Sequence, residues 1–433
     1  KEIDCNGVDV VDKRRETLKT EGRVVKPVSG TELKCVVATE SAVAAEEGYD
    51  VDVKIGDEKQ AYIKTRRKKG DHIRFVLITY RDLHWVPEKR QASVRKLLEQ
   101  CPRGVLLPLE VFLYGDIEAG FAYEDRRNED FVTAGCQHRE RTSVFKYICD
   151  DTHELLPSGN RKTCSVVCFV DDHIAIGHPE ATRTITWKLE QRQEYKDGGF
   201  STVQLRAACT AIGLELILDI TPLYISLTIN QRAYGQLWTG RFTIMLKETV
   251  SKKLQLKNTP GYAPGRMQPP EDGNGLFNDV ARKFISAAMY AARHSLPELL
   301  EPLNFLMSLV GARWGLYADA GLTHLYGYWA KQLEDENVYL EIRVSKEDAR
   351  NRMLSCEYYT DADHASNFSR KSTSGAGAML AGPNSYGLLD AACKQQPSVA
   401  RSSGESETKA ADELLKCLKD LDEPTALEVK LIN

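Results

Sequence analysis

The sequence predicts an α+β protein, and three textures along its 433 residues carry that expectation. Up to about residue 235, short runs rich in Val, Ile, Phe and Tyr alternate with charged or turn-forming segments and read as strands. From about Gly275 to Gln332 apolar residues recur every three or four positions, the period of a helix. After residue 350 strand-like runs return and lead into one amphipathic helix. There is no internal repeat and no low-complexity tract.

In chain order, "KCVVATESAVAAEEGYDVDVKI" and "HIRFVLITY" are the first strand candidates. "EKRQASVRKLLEQC" reads as a helix with Val94, Leu97 and Leu98 on one side. "GVLLPLEVFLYGDIEAGF" follows, and then "TCSVVCFVDDHIAIG", an apolar strand, an acidic turn and a second apolar strand, hence a hairpin. "AIGLELILDITPLYISLTINQRAYGQL" adds two strands and a turn. "TPGYAPGRMQPPEDGNG", rich in Pro and Gly, is the best linker. Helical segments "LFNDVARKFISAAMYAARHS", "LPELLEPLNFLMSLVGARW" and "GLYADAGLTHLYGYWAKQLE" come next. In the final helix, "ESETKAADELLKCLKDL", residues Ala411, Leu414, Leu415, Leu418 and Leu421 share a face.

Composition narrows the function classes. Hydrophobic residues make up 42% and charged residues 28%, as in ordinary globular chains. The length suits two or three domains at roughly 100–200 residues each. No apolar run reaches the roughly 18 residues of a membrane span, so no membrane insertion is expected. A net charge of −4 gives no attraction of the whole molecule for nucleic acid; such a partner has to be held by local basic surface. One basic run holds Lys64, Arg66, Arg67, Lys68 and Lys69. A second holds Lys247, Lys252, Lys253 and Lys257, and each run equally suits a solvated surface loop. The eleven cysteines are scattered singly. Cys164 and Cys168 lack a second pair at zinc-site spacing, which predicts reduced thiols in an intracellular compartment, cytoplasmic or organellar.

Chemistry concentrates in two places. Asp171 and Asp172 sit between two apolar strands, where adjacent carboxylates are costly unless a cation neutralises them. Magnesium takes one or two carboxylates together with substrate phosphate oxygens; a plain hairpin with an Asp-Asp tip is the bland alternative. The second place is "YTDADHASNFSRKSTSG", followed by "KQQP" and "SSGESETKAADEL". These runs occur in the order and near the spacing of Y-x-D-A-D-W-A-G, R-K-S-T-S-G, K-K-Q-P and S-S-T-E-A-E-Y. In this the sequence resembles the ribonuclease H domain of copia-type LTR retrotransposon polyproteins. Upstream, "CFVDDHIAIG" resembles the family's Y-V-D-D polymerase hairpin, with Phe169 in place of its tyrosine. "LEVFLYGDIEAGF" resembles its first-aspartate motif, and "LELILDITPLYISLTINQRAY" the strands after the hairpin. "FISAAMYAARHSLPELLEPLNFLMS" resembles the connection helices, so the likeness runs from about residue 60 to the end.

The resemblance implies degraded reverse-transcriptase fingers and palm, a helical connection and a truncated ribonuclease H-like domain. The segments are 1–104 fingers-like, 105–258 palm-like, 259–349 linker and connection, and 350–433 ribonuclease H-like. It implies phosphoryl transfer by two magnesium ions, with catalytic positions at Glu110, Asp171, Asp172, Asp361 and Glu407. Of these, Asp171, Asp172, Asp361 and Glu407 would hold metal, with Asp363 and Glu405 as neighbours; His364 replaces a tryptophan as a packing residue. The run Lys64 to Lys69 would meet nucleic-acid phosphates. Three departures stand out. The first motif falls on Glu110 and is shortened. The family's S-L-Y-G-L-K-Q-A-P-R-A-W run has no counterpart over 120–165. The third ribonuclease acid is expected beyond "TALEVKLIN". The expected protein is therefore a degenerate or domesticated copy without polymerase activity. It would be a nucleic-acid-binding or structural subunit of a larger complex, with RNA, an RNA/DNA hybrid and proteins as partners. The alternative is an active RNA-directed DNA polymerase with ribonuclease H activity. Magnesium is implied only where activity remains.

Overall fold

The computed structural model describes residues 30–432, except 62–63, 67–74, 87, 102, 109, 112–118, 139–141, 151–154, 263–274, 312, 366–368 and 419–427. The chain divides into two compact units: Glu58–Thr133 is inserted in the second, which comprises Val28–Asp57 and Ala134–Asn433.

The second unit begins with helix α1 (Gly30–Glu47) and strand β1 (Asp52–Asp57). The run from Lys34 to Ile55, expected as a strand, is thus mostly helix. Its alanines favour a helix, and almost every side of α1 is buried, so no amphipathic period marks it. Gly48, at φ 82°, ends the helix by donating from its N–H to the carbonyl of Ala44 at 2.9 Å.

The inserted unit carries β2 (Phe75–Ile78) paired antiparallel with β3 (Val105–Pro108), and helices α2 (Glu88–Gln100) and α3 (Ala119–Thr133). Its small core joins Leu83 to Val94 and Leu98 of α2; Leu97, expected on that face, is exposed. Tyr123 of α3 donates its hydroxyl to Glu58 Oε2 at 2.8 Å, and Arg126 pairs with the other oxygen. Residues 119–133 form a helix whose first three residues close the run "LEVFLYGDIEAGF", and no family motif is read over the rest.

Back in the second unit, β4 (Cys136–His138), β5 (Val144–Ile148), β6 (Thr163–Phe169) and β7 (Asp172–Gly177) form a meander. With β1 and β8 (Ser201–Thr202) they make a six-stranded sheet ordered β4-β5-β6-β7-β1-β8. Helix α4 (Pro179–Glu190) packs on it through Ala181, Ile185 and Leu189. The expected β6–β7 hairpin is present.

An eight-stranded sheet runs β16-β13-β14-β15-β12-β11-β10-β9. Its strands are β9 (Ala208–Ala211), β10 (Leu214–Ile220), β11 (Tyr224–Asn230), β12 (Tyr339–Ser345), β13 (Ser355–Asp363), β14 (Thr373–Ala381), β15 (Tyr386–Gln395) and β16 (Glu428–Ile432). The halves β9–β12 and β13–β16 meet through one paired position, Arg343 with Tyr386. Helix α1 lies between the two sheets: Leu33, Val37 and Ala42 share one core with Ile174 and Ile176 of the first and Leu216, Ile342 and Leu380 of the second.

Between β11 and β12 come α5 (Arg232–Val250), α6 (Asn278–His294), α7 (Leu300–Leu309) and α8 (Leu316–Glu334). They enclose a second core around Phe242, Phe284, Trp314, Tyr326 and Trp329. The expected linker falls mostly on 263–274, outside the described residues. After β12 a short helix α9 (Lys346–Arg350) leads to β13, and α10 (Ser403–Leu418) connects β15 to β16, which runs parallel to β13. The side chains of Leu414, Leu415, Leu418 and Leu421 lie outside the described set. The described cysteines are free thiols. No described helix is long and apolar enough to cross a membrane.

Candidate functional site

The site is built on the β6–β7 turn. Phe169 pairs with Asp172, leaving Val170 and Asp171 as a two-residue loop. Such tight hairpins need positive φ, and Val170 adopts 46° although it is β-branched. Strain of this kind persists where surrounding structure enforces it, and it clusters at functional positions. A second strained turn lies beside it. Ile212, at φ 52°, and Gly213, at 72°, connect β9 to β10. The Ile212 N–H donates to Asp172 Oδ2 at 2.9 Å, and its carbonyl accepts the Tyr290 hydroxyl at 2.5 Å.

The register of β1 adds a third carboxylate, because Asp57 stands directly opposite Asp172. Lys196 Nζ lies 2.6 Å from Asp57 Oδ2, while the other oxygen of Asp57 is buried without a hydrogen-bond partner. Lys196 is held by its neighbours. The Tyr195 ring is buried against Gly56, where a Cβ would come within 2.9 Å of it. The Tyr195 hydroxyl donates to Gln193 Oε1 at 2.8 Å and lies 2.9 Å from His173 Nδ1.

The electrostatics follow from this packing. Burial raises the Asp172 carboxyl above its ordinary value, and Asp171 and Asp57 push the same way, against the Ile212 N–H and Lys196. The hydrogen bond to Asp57 raises Lys196, and the charges of Asp57, Asp171 and Asp172 add to it. Burial pushes Tyr290 up to about 12, with Tyr234 and Asp172 adding.

The remaining expected residues belong to other elements. Glu110 is exposed in a bend of the inserted unit, whereas Asp171 and Asp172 belong to the other unit. Arg66 is exposed and its backbone bridges to Val111; Lys64 is half-buried; Arg67, Lys68 and Lys69 lie outside the described residues. Lys247, Lys252 and Lys253 are exposed.

In the last four strands, Asp361 is exposed on β13, accepts the Ala362 N–H at 2.9 Å and pairs with Gly375. Gln396 donates to Ser374 Oγ at 3.0 Å and to the Ser406 carbonyl at 2.9 Å, seating α10 over the Ser374 face. Ala362, opposite Ser374, shares that face, so alternation turns Asp361 and Asp363 to the other. Glu407 is exposed on α10. Glu405 accepts the Arg401 N–H at 2.8 Å and pairs with Lys409 at 2.7 Å, which holds its carboxyl below the ordinary range. His364 is exposed, with Nδ1 3.5 Å from Ser372 Oγ.

The family resemblance implies magnesium, and the donor set can be tested against it. Among the described residues no group of three or more His, Cys, Asp or Glu is placed to hold a metal ion. At the hairpin an ammonium already engages Asp57 and a backbone N–H engages Asp172. A magnesium pair needs those oxygens free for near-octahedral ligation, so the residues as arranged do not fit one.

Asp57 and Lys196 are the residues that sequence reasoning missed. Asp57 ends an alternating run, "DVKIGD", but its neighbour is set by strand register, which leaves no local trace. Lys196 sits in "EYKDGG", which reads only as a turn. A scan against protein-family models finds no match, and a search of curated proteins finds no relative.

Proposed function

We propose that the chain is a copia-type retroelement protein, reverse transcriptase and ribonuclease H-like, that has lost polymerase chemistry. It serves as a nucleic-acid-binding or structural subunit of a larger protein or ribonucleoprotein complex. The observation that carries this is the ion pair of Lys196 with Asp57 beside the Asp171–Asp172 tip. Two-ion phosphoryl transfer requires carboxylates that converge on divalent cations, and here a side-chain cation stands among them. The four-motif resemblance supports the ancestry. So does a sheet bearing one long helix after residue 350. RNA or an RNA/DNA hybrid and protein partners follow as proposed ligands, with exposed Arg66 a candidate phosphate contact.

One observation favours the alternative, an active RNA-directed DNA polymerase with ribonuclease H activity: the strain at Val170 is of a kind retained where geometry matters. Primer extension on an RNA template with magnesium or manganese separates the two. The proposal expects no extension, together with RNA binding that weakens steeply with salt. Extension that is lost in Asp171→Asn establishes the alternative. A chain purified from its source without RNA or protein partners, and inactive, overturns both.

A further inference from the structure

We propose that the Lys196 ammonium is the resident cation of the Asp57–Asp171–Asp172 cluster and keeps divalent ions from the hairpin tip; this rests on the proposed descent of the hairpin from a metal centre.

Three independent features hold the lysine there. Its Nζ lies 2.6 Å from Asp57 Oδ2, a charge-assisted hydrogen bond. The residue before it is buried: the Tyr195 ring seats on Gly56, the strand neighbour of Asp57, and on Phe200, with centroids 4.6 Å apart. The chain beyond it turns sharply through Asp197, Gly198 and Gly199, at φ 53°, 88° and 145°. Glu190 Oε1 then accepts the Phe200 N–H at 2.7 Å, closing the loop before β8 pairs with β1. Packing on both sides therefore places the backbone of Lys196 at the end of β1, and its side chain, 52% exposed, reaches Asp57 from there.

The charge balance agrees. The register brings Asp57 opposite Asp172, next to Asp171. Three carboxylates in such proximity repel one another, and both Asp171 and Asp172 act on Lys196 in the direction that favours its charged form. A divalent ion entering the tip would have to compete with this ammonium for Asp57 and meet its repulsion at short range.

Manganese binding to the full chain, followed by the loss of the free-ion electron paramagnetic resonance signal, tests the inference. Parent, Lys196→Met, Lys196→Gln and Lys196→Arg proteins are compared at matched urea midpoints. Both neutral variants are expected to bind manganese at least about tenfold more tightly than the parent. Lys196→Arg should stay with the parent, and Asp172→Asn should abolish the gain in either neutral variant. Unchanged binding in both neutral variants overturns the inference, as does Asp172-dependent binding of the parent equal to theirs. Primer extension reports separately on the loss of polymerase chemistry. A parent that extends primers sinks that function, whereas a parent that neither extends primers nor gains manganese on loss of Lys196 sinks only the resident cation.

Discussion

At the scale of single residues, His294 shows how burial sets a charge state. Its ring lies against Gly30, where a Cβ would come within 2.7 Å of Cδ2, so the start of α1 needs a glycine. Nδ1 is 2.8 Å from the Tyr290 carbonyl, which fixes the neutral tautomer with its proton on that nitrogen. Burial lowers the pKa of His294, with Lys34 and Arg293 adding, against the Tyr290 carbonyl. The unfolded chain therefore binds this proton more readily than the folded one. Stability from neutral His294 is full above the ordinary histidine value and is lost as pH falls through the lower folded value. The urea midpoint should drop on going from about pH 7.5 to about pH 5, and less so in His294→Gln. Equal pH slopes in the two proteins would show that the ring carries no such linkage. Little of this was legible in the sequence, since a lone His in "AARHS" has no signature of its own. Asp171 and Asp172, in contrast, announce themselves as a polar break between two apolar runs, a pattern local enough to read.

At the scale of elements, α6 and α8 are joined by one carboxylate. Asp319, in the first turn of α8, accepts the Leu276 N–H at 2.6 Å, the Phe277 N–H at 3.1 Å and the Trp314 indole at 2.7 Å. Asp319, Phe277 and Trp314 are buried whereas Leu276 is exposed, so Asp319→Ala strands two donors away from water. With each unsatisfied group costing about 1–3 kcal/mol, a loss of about 2 kcal/mol or more is expected by urea unfolding, and a loss under about 1 kcal/mol would show that water replaces the carboxylate. Asn, which can accept but carries no charge, should recover part of the loss. The helices α6 and α8 were readable because each keeps its apolar residues to a recurring face. Helix α1 was not, because it is covered by a sheet on either side and its Val-Val and Ala runs have no polar face to set a period. The seam of the eight-stranded sheet was equally hidden. Arg343 stacks over Tyr224 and Tyr386, with Cζ 4.3 and 5.3 Å from their ring centroids, and pairs with Glu341 at 2.8 Å. Glu341 is a neighbour in the same strand, but the two ring contacts join residues far apart in the chain, and no local run contains them.

At the scale of the molecule, the chain leaves the second unit after Asp57 and re-enters it at Ala134, so the second unit is discontinuous in sequence but contiguous in structure. Its two edges of entry can be placed from the sheet alone. Cys136, Tyr147, Cys164, Gly177 and Asp52 pair in succession across five strands, so Cys136 is level with the start of β1 and Asp57 with its far end. Four interstrand steps of about 4.8 Å and five residues of about 3.3 Å each put the two points about 25 Å apart. A flexible linker with a root-mean-square span of roughly 5–6 Å times the square root of its length covers that distance with about 20 residues. Both large hydrophobic cores belong wholly to the second unit, while the described residues of the inserted segment include the small cluster at Leu83, Val94 and Leu98 and a few buried residues of α3 such as Tyr123 and Phe131. Replacing Glu58–Thr133 by a Gly/Ser linker of about 20 residues should therefore leave a cooperatively folding protein. In the parent chain, urea unfolding followed by circular dichroism should show a weaker transition ahead of the main one, and the excised protein should retain only the main one at a similar midpoint. Loss of all cooperative unfolding on excision would mean that the second unit depends on its insertion for stability. The position of the linker also bears on the site: it starts at Asp57, so retention of the Lys196–Asp57 pair can be checked in the same protein by the manganese comparison.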